Sequence, residues 1–179
     1  IKPTDITSPI NADQIEKKYA WENALYISAE QKLTDRISLN YGLRYSNFQR
    51  LGEQNINSYA HNEAVFFNPE LQIYEEGTPT GTIHYGKNKK IIDFGNLEPR
   101  LAVSYAINNN QSIKASYNRM SQYVHLISNT ASVSPLDIWA PSDQYLKPEI
   151  LDQVALGYFR NFNDRKYSLE IPSSATKNV

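Results

Sequence analysis

LYISAEQKLTDRISLNYGLRY, running from Leu25 to Tyr45, decides the fold. Leu25, Ile27 and Ala29 alternate with Tyr26, Ser28 and Glu30; past Thr34-Asp35-Arg36, Ile37, Leu39, Tyr41, Leu43 and Tyr45 alternate with Ser38, Asn40, Gly42, Arg44 and Ser46. Side chains of a strand point to opposite faces with period two, so the stretch predicts two long antiparallel strands joined by a tight turn, one face apolar and the other polar. Tyr19 and Trp21 share the parity of Leu25, which places the start of the first strand near Tyr19.

The same unit recurs twice. Leu101, Val103 and Tyr105 lead through Asn108-Asn109-Asn110 to Ile113, Ala115 and Tyr117, and Val154, Leu156 and Tyr158 lead through residues 161–165 to Tyr167, Leu169 and Ile171. Two long connections separate the units, residues 47–97 and 119–152, both beyond ordinary loop length. Inside the first, Leu71–Tyr74 and Thr82–Tyr85 flank Gly77–Gly81 and predict an excursion hairpin turning at the glycines. In the second, Pro135, Pro141 and Pro148 argue against a central strand. The first eighteen residues read as loop with a short helical turn, and alternation stops at Pro172.

Connections therefore run short, long, short, long, short. An antiparallel barrel across an outer membrane has this rhythm, with short turns on the periplasmic side and long loops outside. Aromatic placement points the same way: on the apolar face Tyr105, Tyr158 and Tyr167 lie near the short turns, Trp21, Tyr41, Tyr45 and Tyr117 lie toward the long loops, and aliphatics fill the middle. Rings with one polar end favour both water–lipid interfaces. The predicted fold is all-β, an antiparallel up-and-down transmembrane β-barrel, partial, with about six long strands plus a loop hairpin, over residues 1–179. Six strands fall short of the roughly eight of the smallest single-chain barrels, so the chain reads as an internal piece of a longer protein. The mean hydropathy of −0.57 fits either a soluble protein or alternating membrane strands. A soluble or surface-attached β-sandwich that binds glycan, its apolar face serving as core, is the alternative.

With 18 basic and 19 acidic residues the chain carries no global charge to draw nucleic acid. It has no cysteine, hence no disulfide or thiolate metal site. His61, His84 and His125 lack metal-ligand spacing, and no glycine-rich phosphate loop or nucleophile elbow is present, so no enzymatic role, catalytic residue, metal or cofactor is predicted.

Three stretches carry a family resemblance: P-R-L-x-x-x-Y at Pro99–Tyr105, S-Y-x-R at Ser116–Arg119, and K-P-E followed by L-G-Y between Lys147 and Tyr158. As a set, over most of Trp21 to Ile171, they resemble the barrel of TonB-dependent outer-membrane receptors of Gram-negative bacteria. The resemblance implies a 22-stranded barrel around an N-terminal plug, both extending beyond these residues. Its implied function is import of a bulky nutrient, such as a siderophore, haem or glycan, energised by the TonB complex. Outer-membrane lipid, the plug and the TonB complex are the implied partners, with a surface lipoprotein as a further one.

Charges opposite the aliphatics must face water or protein, because a Lys or Arg on the lipid face costs about 2–4 kcal/mol at midplane. Glu30, Arg44, Lys114 and Asn118 are therefore expected to face the lumen. In the extracellular loop over 119–152, Tyr123, His125, Asp137, Trp139, Asp143 and Tyr145 combine rings with carboxylates suited to stacking on and hydrogen-bonding a sugar or chelate.

Overall fold

The computed structural model describes residues 17–127, 138–162 and 166–179. The first hairpin is β1 (Tyr19–Lys32) and β2 (Ile37–Leu51). An arm of four short strands follows: β3 (Gln54–Tyr59), β4 (Val65–Asn68), β5 (Ile73–Glu76) and β6 (Pro79–Tyr85). β7 (Lys90–Asn108) and β8 (Gln111–Gln122) form the second hairpin. A small ribbon of β9 (Val124–Ile127) and β10 (Ile138–Pro141) precedes the third, β11 (Glu149–Phe162) and β12 (Tyr167–Asn178).

The six long strands form one antiparallel sheet in the order β1-β2-β7-β8-β11-β12, the up-and-down topology that the alternation predicts. They run 12 to 19 residues, longer than the roughly 9–11 that cross a bilayer. The sheet does not close: β1 and β12 are its edges, as befits part of a barrel.

Short turns are set by local chemistry. Thr34 Oγ1 accepts the N–H groups of Arg36 (3.2 Å) and Ile37 (3.0 Å), and Asn108 Oδ1 accepts that of Asn110 (2.9 Å). Neighbouring turns are also tied together, Ala106 N–H to Arg36 O and Asn161 N–H to Asn110 O. Up-and-down order then sends both long connections to the opposite end.

Register places Leu39 beside Val103, Val103 beside Ala115 and Ala115 beside Leu156, one row on the apolar face. That row is not a dry interior. Leu156 is 55% exposed and Leu25 78%, and among the described residues no second sheet packs on this face. A soluble sandwich needs such a sheet. Two glycines mark close approaches of rings to the wall. A Cβ on Gly95 would lie 2.6 Å from the Tyr45 hydroxyl on the apolar face, and one on Gly157 would lie 2.8 Å from the Phe159 ring on the polar face.

The structure departs from the sequence-based expectation in three places. β2 and β7 run on to Leu51 and back from Lys90, so the first long connection spans 52–89 rather than 47–97, and likewise β8 runs on to Gln122 and β11 starts at Glu149, so the second lies between those residues rather than over 119–152. The excursion turns at 69–72, not at the glycines: β5 pairs with β4, and β6 with β3. Asn68 Oδ1 caps this turn by accepting the N–H groups of Glu70 (3.0 Å) and Leu71 (3.3 Å), with Pro69 fixing the backbone between them. Finally, β12 continues through Pro172 to Asn178, with Pro172 opposite Gly157.

Candidate functional site

All strongly buried side chains of the described residues lie at the long-loop end, where the connection after β8 folds back on the polar face. Ser46, Phe48 and Arg50 of β2 and Glu98 of β7 share that face by register parity. They are buried there together with Tyr123, Ala140 and Ser142 from the returning loop. The Phe48 and Tyr123 rings stack nearly parallel with centroids 4.9 Å apart.

A continuous polar chain runs from this loop into the wall. Asn96 Nδ2 donates to the Tyr123 hydroxyl (2.9 Å), which bonds to Ser46 Oγ (2.6 Å), and Ser46 donates to Glu98 (2.7 Å). Since the one hydroxyl hydrogen of Ser46 goes to Glu98, Tyr123 donates to Ser46. Both Glu98 oxygens accept from Arg44 Nη1 (2.8 Å each), and Arg44 Nη2 reaches Glu22 on β1 (3.3 Å). Glu98 is only 2% exposed; its charge is held by an arginine and a hydroxyl, which offsets its desolvation.

Arg50 is buried beside this cluster. Its guanidinium donates to the carbonyls of Tyr19 (2.6 Å) and Leu51 (2.9 Å) and to the Gln54 side chain, while its Nε meets no acceptor among the described residues. Its bonds go to neutral oxygens, and the carboxylate acting on it through space is Asp143 of the returning loop.

The loop candidates occupy different stations. Tyr123 lies beneath the loop, buried, with its hydroxyl used internally. His125 is half-buried, its Nε2 2.9 Å from Ser142 Oγ. Trp139, across the ribbon from Leu126, is 63% exposed. Asp143 accepts the N–H groups of Tyr145 (2.8 Å) and Leu146 (2.9 Å) and so builds the bend after the ribbon. Tyr145 joins the two long connections: its hydroxyl donates to Asn57 O (2.8 Å) on β3 and its ring meets Tyr59 edge-on at 5.3 Å. Asp137 lies outside the described residues.

Glu30, Arg44, Lys114 and Asn118 share the polar face by register. Glu30 is exposed opposite Asn40, Asn118 lies between Arg100 and Gln153, and Lys114 Nζ sits 4.8 Å from the Phe159 ring centroid. Arg44 is already engaged by Glu98 and Glu22. Among the described residues no group of three His, Asp or Glu is arranged to hold a metal ion.

The alternation itself did not reveal Ser46, Phe48, Arg50 and Glu98 as a cluster. Phe48 carried a usable signal, since its ring falls on the polar parity of β2, where only something packed from inside would cover it. On the opposite face, Tyr117 and Arg119 converge on Asp152 of the next strand, the arginine with both Nε (2.7 Å) and Nη2 (2.6 Å) and the tyrosine through its hydroxyl (2.8 Å). The S-Y-x-R stretch thereby acquires a physical purpose: it clamps β8 to β11 where the apolar band ends.

A family model described as TonB dependent receptor-like, beta-barrel matches residues 2–171. The chain belongs to the TonB-dependent receptor β-barrel family. No curated protein and no solved structure matches it. Membership makes this chain barrel wall of an outer-membrane receptor of the transport class, and the open six-stranded sheet is the matching portion of that wall.

Proposed function

We propose that this receptor barrel takes up a bulky nutrient, a siderophore, haem or glycan, which binds at the extracellular long loops and passes inward with energy from the TonB complex. The observation that carries the proposal is the connection between β8 and β11, anchored on the polar face by the stack of Tyr123 on Phe48 yet presenting the Trp139 ring to solvent. In this assignment Trp139 stacks on the nutrient, His125, Asp143 and Tyr145 line its approach, Tyr123 holds the platform from below, and Asp137, outside the described residues, is a further candidate from the sequence. Glu30, Lys114 and Asn118 face the lumen and meet the plug domain of the full-length chain. Arg44 joins that wall to the loop only through Glu98 and Ser46, which Tyr123 reaches. A surface lipoprotein closing over the loops is a further partner.

The test is binding of ferric chelates, haem and oligosaccharides to the purified full-length receptor by calorimetry, followed by uptake into cells with and without an inner-membrane proton gradient. Trp139→Ala is expected to weaken the bound nutrient about tenfold, equivalent to about 1.4 kcal/mol, while leaving the heat-modifiable gel mobility of the barrel intact. Undiminished binding by this variant removes the loop from the site. Uptake that persists without the proton gradient removes the energised step.

A further inference from the structure

We infer that the tip of the arm formed by β4 and β5 is a docking surface for a basic, partly apolar polypeptide segment. The tip is a two-stranded ribbon of four residues per strand. Phe66, Phe67 and Tyr74 are all exposed there, Tyr74 at 75%, and the Phe67 and Tyr74 rings tilt together at 5.2 Å. Phe66 and Phe67 project to opposite faces by alternation, so neither face of the ribbon is covered among the described residues. Exposed apolar surface of this kind marks an interaction site.

Charge decides the occupant. Between Leu51 and Gly86 the chain carries five carboxylates, Glu53, Glu63, Glu70, Glu75 and Glu76, and no lysine or arginine. Among the described residues none of the five is in an ion pair; Glu75 accepts only the Asn68 side-chain amide (2.8 Å). Exposed ring faces beside unpaired carboxylates suit ammonium and guanidinium groups, by cation–π contact and charge-assisted hydrogen bonds together. An anionic lipid surface or an acidic partner is repelled by the same charges. A two-stranded ribbon whose outer edges pair with no other strand among the described residues also fits an extended segment, which can add to it as a strand, better than a small ligand that needs a cavity.

The probe is a fluorescent peptide of about twelve alternating arginines and leucines, long enough to cover the ribbon at about 3.3 Å per residue. It is titrated by anisotropy against full-length receptor in nanodiscs of zwitterionic lipid, with empty discs as background. Saturable binding is expected, weakening as salt rises from about 50 to about 200 mM. The Glu70→Gln, Glu75→Gln, Glu76→Gln triple variant is expected to lose about tenfold in affinity and most of its salt dependence. Phe66→Ser, Phe67→Ser, Tyr74→Ser is expected to lose as much while keeping the salt dependence. Equal binding of a glutamate–leucine peptide, absence of saturable binding, or wild-type affinity in both triple variants overturns the inference. A Glu70→Cys receptor provides a readout independent of those variants: maleimide labelling is expected in the free receptor and protection by the arginine–leucine peptide. A cysteine that is unlabelled without the peptide, or equally labelled with it, also overturns the inference.

Discussion

The two faces of the six-stranded sheet are built from the same strands, residue by residue in alternation, yet they meet opposite fates. Leu25, Ile27, Val154, Leu156 and Ile171 stay open on the apolar face, whereas Ser46, Arg50 and Glu98 are buried on the polar one. In a water-soluble protein that order is reversed. The contrast is physical: hydrocarbon supplied by a bilayer covers the apolar face, so the chain has no need to fold anything over it. On the other face the returning loop covers the long-loop end, and the charged groups buried beneath it are satisfied from the wall, Glu98 by Arg44 and Ser46 and Arg50 by the Tyr19 and Leu51 carbonyls and Gln54.

The sharpest way to break this comparison is to place the same charge on both faces of one strand. Leu39→Arg puts a guanidinium into the apolar row and is expected to cost about 2–4 kcal/mol of folding stability. Asn40→Arg, one residue along and on the exposed polar face, is expected to stay within about 1 kcal/mol. Urea unfolding of the full-length receptor in lipid, followed by loss of heat-modifiable mobility, measures both. Equal costs mean that the apolar face does not meet hydrocarbon.

The polar face is probed by Glu98→Ala. This change strips the Arg44 guanidinium and the Ser46 hydroxyl of their shared acceptor in a buried setting. Arg44 is partly exposed and keeps Glu22, so the expected loss is about 1–3 kcal/mol, below that of a fully enclosed pair. Glu98→Gln, which keeps the shape and one acceptor, is expected to lose less. A neutral outcome for both means that the polar chain from loop to wall carries no stability. Next in size is Tyr123→Phe, which preserves the stack on Phe48 but removes both hydroxyl bonds. About 1 kcal/mol is expected, appearing as faster amide exchange in β9 and β10 and not in β7.

What was legible in the sequence follows from the same division. Period-two alternation is a local property, and it located the three long hairpins, the first two short turns and the faces of the residues over which it holds. It also put Glu30, Arg44, Lys114 and Asn118 on one face, because parity alone decides that. Partnership is not local. Arg44 and Glu98 lie 54 positions apart, and only the pairing of Tyr45 with Leu97 brings them to adjacent strands; the alternation specifies that register no better than a shift of two. The arm was misread for a different reason. Gly77–Gly81 is the more conspicuous turn composition, but Asn68-Pro69 supplies a side-chain acceptor for two orphaned N–H groups, and a capped turn wins over a merely flexible one. Tyr123 and Trp139 were equivalent as aromatic loop residues. Depth separated them, and depth depends on Phe48, far away in the chain.

The smallest effect tests whether the comparison extends above the sheet. Among the described residues Tyr145 ties the connection between β8 and β11 to the arm, by its bond to Asn57 O and the edge contact with Tyr59. Tyr145→Phe deletes the bond and keeps the ring, and because both groups are near water the stability change is expected to be only about 0.5 kcal/mol. Its informative readout is local. If the loop is held mainly from beneath, by Tyr123 and the buried cluster, amide exchange in β9 and β10 stays as in the wild type while that of β3 and β6 rises. If the loop depends on the arm, all four strands loosen together, and the inner face is then only one of two supports for the loop.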